Sequence, residues 1–275
     1  MATSGEPGAP PFSARYRVVE RCVAVETRDP VVASLVRAVL GGFAPPLEDR
    51  RADIRYRLPP ARRPATPRAA LPGPALLVHD MLRKLTVDLQ RLRTDLLFLH
   101  SAVVARRGRA ILLVGESGSG KSTTTWRLLH HGFEYLSDEL APVDVHAGWV
   151  HPYHRALALK LPLHTGEPPL PAGAVELVSS VHVPVACLPS AAPGESRPID
   201  AIAFVDRHAE SSGANLRPLS AAEAGVRLYG GALNLLTHPN RGLDAVLRLA
   251  GSVRCFALAT ADLEATADVL DRLID

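Results

Sequence analysis

The most informative residues of this chain form a glycine-rich loop that ends in a lysine and a hydroxyl. The run is Gly115-Glu116-Ser117-Gly118-Ser119-Gly120-Lys121-Ser122-Thr123. Glycines let the backbone curl so that successive N–H groups point at an anion. Lys121 supplies a point charge for the outer phosphates, and the Ser122 hydroxyl is suited to Mg²⁺. We therefore predict that all nine residues bind a nucleoside triphosphate together with Mg²⁺.

The segments on either side of this loop fit the same prediction. A short apolar strand is predicted over residues 109–114, and a helix over residues 121–131 that ends at Gly132. The helix would aim its dipole and its unpaired N–H groups at the phosphates. The alternative is a Gly/Ser-rich turn that matches the motif by chance. Such a turn would not need to be flanked by a strand and a helix, whereas both are predicted here.

Two carboxylates and a histidine are candidates for the remaining chemistry. Asp138 and Glu139 end a short strand predicted at 133–136, and Asp138 follows Lys121 by 17 residues. A phosphate-bridging cation needs carboxylate oxygen opposite the Ser122 hydroxyl, or one acid takes the proton of an attacking hydroxyl. A solvated turn is the alternative. His100 precedes the loop by one strand length, although a lone histidine at a strand start is more often structural.

Together these residues resemble one known family. His100, the loop, Gly132 and the Asp138-Glu139 pair stand at the relative spacings found in bacterial HPr kinase/phosphorylases. The similarity spans roughly residues 96–160 and has no gap between His100 and Glu139. It implies an α/β fold like that of phosphoenolpyruvate carboxykinase, with a mixed twisted sheet and an ATP site at its edge.

The resemblance also implies roles for individual residues in an ATP- and Mg²⁺-dependent transfer to a serine hydroxyl. Lys121 would hold the β- and γ-phosphates, and Ser122 would bind Mg²⁺. Asp138 would act as the base and would hold the metal together with Glu139, and His100 would orient the carboxylate.

The chain also departs from that family. Its second acid is Glu139 where the family usually has Asp, and the later Leu-Glu-Ile-Arg-Gly-Leu-Gly-like block and the basic C-terminal loop are missing. The reverse, phosphorolytic reaction and HPr as acceptor are therefore left open. Residues 151–160 instead resemble a segment of HPr-kinase-related proteins found near peptide-modification systems. Within them, Arg155 or Lys160 either stabilises charge on the transferred phosphoryl group or is a surface cation.

Composition excludes several other classes of protein. The chain of 275 residues is 47% hydrophobic and 21% charged, as in an ordinary globular protein, and its net charge of +3 is too small to indicate nucleic acid. Three widely spaced cysteines predict buried free thiols in a reduced compartment. Three histidines, His146, His151 and His154, lack helical context and a fourth ligand, so we predict structural or solvent-exposed roles rather than a metal site. No signal peptide or membrane helix is predicted, which favours the cytoplasm and no membrane partner.

The pattern of turns and periodic segments predicts a disordered leader (1–13), a small α+β region with a Pro/Arg linker (14–75) and an ATP-binding domain (76–275). Predicted strands cover 15–26, 52–58, 99–105, 109–114, 133–136, 140–145, 150–161, 199–205 and 253–258. Predicted helices cover 30–40, 78–92, 121–131, 220–229, 243–249 and 261–274. Residues 162–198 are rich in Pro, Gly and Ser, which is typical of a lid or binding loop, or of disorder.

The leading hypothesis is an ATP-dependent serine kinase whose acceptor is a peptide or small protein, with a natural-product precursor suggested by family association alone. A kinase of a small molecule and a non-catalytic ATP-binding adaptor are the alternatives. A transporter ATPase is disfavoured because the chain has no Leu-Ser-Gly-Gly-Gln block and its acidic pair lies too close to the loop. A homo-oligomer is left open.

Overall fold

The computed structural model describes residues 11–46, 51–60, 73–161, 168–207, 213–260 and 262–274. The strands are β1 (Phe12–Val18), β2 (Arg21–Thr27), β3 (Ile54–Leu58), β4 (Leu97–Arg106), β5 (Arg109–Val114), β6 (Glu134–Ser137), β7 (Leu140–Asp144), β8 (Trp149–Val150), β9 (Leu157–Lys160), β10 (Val175–Leu177), β11 (Ser180–Val183), β12 (Arg197–Arg207), β13 (Ala214–Pro218) and β14 (Arg254–Thr260). The helices are α1 (Pro30–Leu40), α2 (Pro74–Leu92), α3 (Lys121–His130), α4 (Ala221–Gly231), α5 (Leu243–Ser252) and α6 (Leu263–Ile274). Most of the predicted leader, and the linker at 61–72, lie outside the described residues.

A mixed sheet carries the centre of the fold. Its strand order is β13-β14-β12-β5-β4-β7-β8, and β6 also pairs with β4. Strand β5 is antiparallel to β4 and parallel to β12. Strands β4 and β5 form a hairpin that turns at Arg107 and Gly108, whose φ values are 52° and 75°. The expected mixed α/β architecture is therefore present, because the hairpin supplies the antiparallel pair and β12 the parallel one.

The N-terminal residues form a small sheet of their own, in the order β1-β2-β3. The prediction of one strand over 15–26 is wrong, because the chain reverses at Val19 and Glu20, whose φ values are 46° and 60°. No Gly, Pro or Asn marks this turn, so the alternating pattern continues through it. The helix predicted at 30–40 is confirmed. Its N-terminus is capped by Asp29, whose side chain accepts hydrogen bonds from the Val31 and Val32 N–H groups.

Helix α2 joins this small sheet to the rest of the protein. Its apolar face is buried in a hydrophobic cluster that also contains residues of β2, α1 and β4. The members on α2 are Val78, Met81, Leu82, Leu85 and Leu89. Helix α2 therefore packs its apolar face against the protein's own core. The domain boundary at 75/76 stays a prediction.

The region after the acidic pair differs most from expectation. The continuous strand predicted at 150–161 is wrong, since a buried irregular segment at 151–156 separates β8 from β9. That segment is fixed by long-range backbone bonds, from Tyr153 N to Leu136 O (2.9 Å) and from Ala156 N to Val39 O (2.9 Å). Of residues 162–198, those at 162–167 lie outside the described residues. The remainder includes β10 and β11, which form a sheet with β9, so disorder is wrong for this part.

Strand β13 has no counterpart in the sequence prediction and pairs with β14 at the edge of the central sheet. Cys22 and Cys255 are buried free thiols as expected, whereas Cys187 is exposed, which corrects the expectation that all three are buried. Among the described residues, none of the helices is both long and apolar enough to cross a membrane.

Candidate functional site

The register of β4 brings the predicted site residues to one end of the central sheet. Ser101 of β4 lies opposite Val114, the last residue of β5, so His100 is level with the start of the glycine-rich loop. On its other side β4 pairs with β7, where His100 lies opposite Leu140. The Ser101 N–H also donates to the Glu139 carbonyl at 3.2 Å. His100 therefore lies between the loop and the acidic pair.

The loop needs glycine at three places for two different reasons. Gly118 and Gly120 have φ values of 93° and 96°, a conformation that side chains other than glycine rarely adopt. At Gly115 the constraint is space, because a Cβ atom would lie 2.7 Å from Ser119 Oγ and 2.9 Å from Val205 O. The tight path of the loop against β12 thus depends on these glycines.

Lys121 begins α3 and spans the loop. Its Nζ donates to the carbonyl oxygens of Gly115 at 2.6 Å and Glu116 at 2.9 Å. Burial lowers the pKa of Lys121, the charge of Lys160 lowers it further, and the carboxylates of Glu139 and Asp138 act in the opposite direction. The N–H groups in the first turn of α3 have no acceptors within the helix, and Ser122 and Thr123 there are partly buried. The loop therefore presents both N–H donors and a cation.

Both carboxylate oxygens of Asp138 accept hydrogen bonds. Its Oδ1 accepts from the Tyr135 hydroxyl at 3.0 Å, and its Oδ2 accepts from the Ala158 N–H at 2.7 Å. Arg155 Nη2 lies 3.3 Å from Oδ1 and 3.4 Å from Oδ2. Burial raises the pKa of Asp138, and Arg155 opposes that effect. In this arrangement Asp138 is a buried anchor, whereas Glu139 is the more exposed of the two acids.

Arg155 links the two acids. Its Nη1 forms an ion pair with Glu139 while Nη2 contacts Asp138, and its side chain is 9% exposed. Burial alone would lower the pKa of Arg155, but the carboxylates of Glu139 and Asp138 outweigh this and raise it. The surface-cation alternative is therefore wrong for Arg155. Lys160, by contrast, is exposed at the end of β9.

The surroundings of His100 favour its neutral form. Burial lowers its pKa below the ordinary 6.5, and the charge of Lys121 adds to the effect, although Glu139 and Asp138 oppose it. A neutral imidazole can accept a proton or a hydrogen bond as well as donate one. The structure thus brings His100, Lys121, Asp138 and Glu139 together, as their predicted roles require, but the roles themselves stay predictions.

Of the three other histidines considered for a metal site, His151 and His154 line one small cavity and His146 lies outside it. His146 is exposed, His151 Nδ1 lies 2.9 Å from Ser196 Oγ, and His154 is buried with Nε2 3.2 Å from the Tyr135 carbonyl. The described part of the chain contains no group of three or more His, Cys, Asp or Glu residues suited to a metal ion.

Two residues of the site region had no signal in the sequence. Tyr135 precedes Asp138 by three residues, a spacing that strand alternation does not place on one face. Asn234 follows α4 and joins it to β4, since its Oδ1 accepts from Phe98 N at 2.9 Å and its Nδ2 donates to Leu96 O at 2.9 Å. Asn234 is identified only by hydrogen bonds to residues that are distant in sequence. Tyr135 is identified only because the backbone after it departs from regular strand alternation.

By sequence, the chain matches no protein-family model and no curated protein. Among solved structures, it is similar to the HPr(Ser) kinase/phosphatase from Coxiella burnetii at 12% identity and a TM-score of 0.31. That match covers 64% of this chain and 97% of the other. Similarity at this level is distant.

Proposed function

We propose that this protein is an ATP- and Mg²⁺-dependent phosphotransferase that phosphorylates a serine hydroxyl of a peptide or small protein. The observation that carries the proposal is the position of His100 on β4, between the glycine-rich loop and the acidic pair. A phosphate-binding loop, a lysine, a histidine and two carboxylates within one site are the groups that phosphoryl transfer needs.

The loop suits the triphosphate of ATP as substrate. Lys121 presently bonds the Gly115 and Glu116 carbonyls, and these bonds can be exchanged for phosphate oxygens when the nucleotide binds. The Ser119 hydroxyl is buried and has no hydrogen-bond partner among the described residues, so it is available to the same ligand. The N-terminus of α3 adds N–H donors and a favourable dipole.

The donors present also fit Mg²⁺. This ion is usually held by one or two carboxylates, a hydroxyl and the phosphates themselves, rather than by a complete protein cage. In the proposal the Ser122 hydroxyl and the Glu139 carboxylate would hold the ion, which would neutralise charge on the phosphates. Glu139 already forms an ion pair with the Arg155 guanidinium, so its carboxylate is accessible to a cation.

Asp138 is the proposed base. The serine oxygen forms a bond to the γ-phosphorus, the bond from that phosphorus to the ADP oxygen breaks, and the serine proton moves to Asp138. A pKa raised by burial suits a carboxylate for this task. Because both of its oxygens already accept hydrogen bonds, Arg155 has to release one of them before Asp138 takes the proton. His100 would orient the carboxylates.

A direct test is to incubate the purified full-length protein with Mg·ATP and serine-containing peptides and to detect phosphorylated products by mass spectrometry. Lys121→Ala and Asp138→Asn are expected to reduce phosphorylation by about 10²-fold or more. Lys84→Ala is the matched control, since Lys84 lies on α2 with its Nζ 5.8 Å from the Tyr56 ring centroid. Full activity in Lys121→Ala or Asp138→Asn would contradict the proposed roles.

The enclosure of Asp138 favours a second candidate, an adaptor that binds ATP without turnover. An acid that is 2% exposed and accepts bonds from three different residues can be purely structural. Measuring ADP release with peptide, free serine and sugar acceptors separates the candidates. ATP binding without ADP release for any acceptor would favour the adaptor, and release with a small molecule alone would favour a small-molecule kinase.

A further inference from the structure

Lysine is rare in this chain, and it is concentrated at the site. The sequence has 31 basic residues, of which only Lys84, Lys121 and Lys160 are lysines. We infer that Lys160 is a second phosphate-binding lysine, which contacts the terminal phosphate of the bound triphosphate from the side opposite to Lys121. The inference rests on the proposed function, because it requires that the loop bind a nucleoside triphosphate.

The position of β9 supports this assignment. This strand is the edge of the three-stranded sheet β10-β11-β9. Its free edge faces the acidic pair, because the Ala158 N–H donates to Asp138 Oδ2 at 2.7 Å rather than to β11. Lys160 lies two residues further along the same strand, about 7 Å away at the usual rise. Lys160 is the last residue of β9, and its side chain is exposed.

Among the described residues, the Lys160 ammonium has no counter-ion. Both acids of the site are paired with Arg155, and no ion pair joins Lys160 to any residue of the described ranges. Lys121 is also near enough for the charge of Lys160 to affect it. With Arg155, the site therefore contains three cations, and its acids are Asp138, Glu139 and the exposed Glu116 of the loop. A polyphosphate would relieve the repulsion between the two ammonium groups of Lys121 and Lys160.

The chemistry of the two side chains suits Arg155 to holding the acids and Lys160 to binding phosphate. Arg155 has a planar fork that fits carboxylates, and it is occupied by Asp138 and Glu139. Lys160 has a compact, rotatable ammonium that can follow a phosphate as it moves. In a transfer reaction, such a cation stabilises charge on the phosphoryl group as its bond to ADP breaks.

The test compares the affinities of the full-length protein for ATP and ADP, measured by titration calorimetry in the presence of Mg²⁺. Lys160→Met is expected to weaken ATP binding by about 10-fold and to leave ADP binding unchanged, since only ATP has the terminal phosphate. Lys84→Met is the control for loss of a lysine and should bind both nucleotides as the wild type does. Because Lys160 is exposed, the variant is expected to unfold at the wild-type temperature.

The possible results separate this inference from the proposed function. Wild-type protein that binds no ATP would overturn both. If the wild type binds ATP and Lys160→Met keeps the same ratio of ATP to ADP affinity, the inference alone is overturned, whether the two affinities are unchanged or fall together. A selective loss for ATP that Lys160→Arg partly restores would support it.

Discussion

Nη2 of Arg155 lies 3.3 Å from Oδ1 of Asp138, and the two side chains are only 9% and 2% exposed. The same guanidinium pairs through Nη1 with Glu139. A buried pair of this kind has lost its hydration and depends on its partner for compensation. Arg155 therefore fixes the relative position of both acids, and its removal has consequences for stability as well as for any chemistry at the site.

Replacing Arg155 with methionine is expected to destabilise the protein by about 3–5 kcal/mol, because two carboxylates lose their cation and one of them is buried. The free energy of unfolding in urea measures the effect. Arg217→Met is the matched control, since Arg217 pairs with Glu223 where the side chains are 56% and 48% exposed. The exposed pair should contribute less than about 1 kcal/mol. Equal losses in the two variants would mean that burial of the Arg155 pair is not decisive.

Gly115→Ala is expected to weaken nucleotide binding and to lower stability by about 1–3 kcal/mol. The added Cβ would lie 2.9 Å from the Val205 carbonyl, which belongs to the sheet and cannot easily move. Gly230→Ala serves as control, because Gly230 lies within α4 and has open space at its Cβ. Alanine there should raise stability by about 0.5–1 kcal/mol. Thermal unfolding and ATP titration of both variants test the pair, and unchanged ATP binding in Gly115→Ala would refute the expectation.

The stability of the protein is expected to fall in mild acid because of His154. Burial lowers the pKa of His154 to about 4, whereas the ordinary value is 6.5. Between pH 6.5 and pH 4, His154 is therefore protonated in the unfolded chain but not in the folded chain. The contribution of His154 to the free energy of unfolding is complete above about pH 6.5 and declines towards pH 4, by about 3 kcal/mol in total.

His154→Gln should remove that part of the pH dependence when urea unfolding is repeated between pH 7 and pH 4.5, as judged against the wild type. His146→Gln, which changes an exposed histidine, should leave the dependence as it is. His182, whose pKa burial lowers to about 3, will still contribute a decline of the same sign. An identical slope in His154→Gln and wild type would show that His154 titrates normally in the folded protein.

Asn234→Asp is expected to cost about 1–3 kcal/mol, since the new carboxylate can accept from Phe98 N but cannot donate to the Leu96 carbonyl. The Leu96 carbonyl then keeps only the His238 Nε2 atom, 3.1 Å away, as a neighbour and faces a negative charge. Asn215→Asp on the exposed side of β13 is the control and should change stability by less than about 0.5 kcal/mol. The free energy of unfolding of both variants is measured by chemical denaturation. An unchanged free energy of unfolding in Asn234→Asp would argue against a structural role for this side chain.

Local features of the chain were predictable from sequence because they are encoded in short spacings. The glycines of the loop, the strands before and after Arg107 and Gly108, and helix α1 each depend on residues within a few positions of one another. The turn at Val19 and Glu20 was not predictable, because its positive φ values occur at residues that normally avoid them. The turn is determined by the pairing of β1 with β2. Rules based on residue spacing do not take strand pairing into account.

The sequence alone determined the nine-residue loop with its flanking strand and helix, because these form one contiguous pattern. It also determined which acids and which histidine are candidates for the site. Only the tertiary structure decided how they are arranged. Strand register places His100 between the loop and Glu139, and a buried irregular segment carries Arg155 to the acids. Strand β9 then brings Lys160 to the same site. These relationships join residues that are tens of positions apart, and they arise from the packing of buried side chains and backbone hydrogen bonds rather than from any local preference.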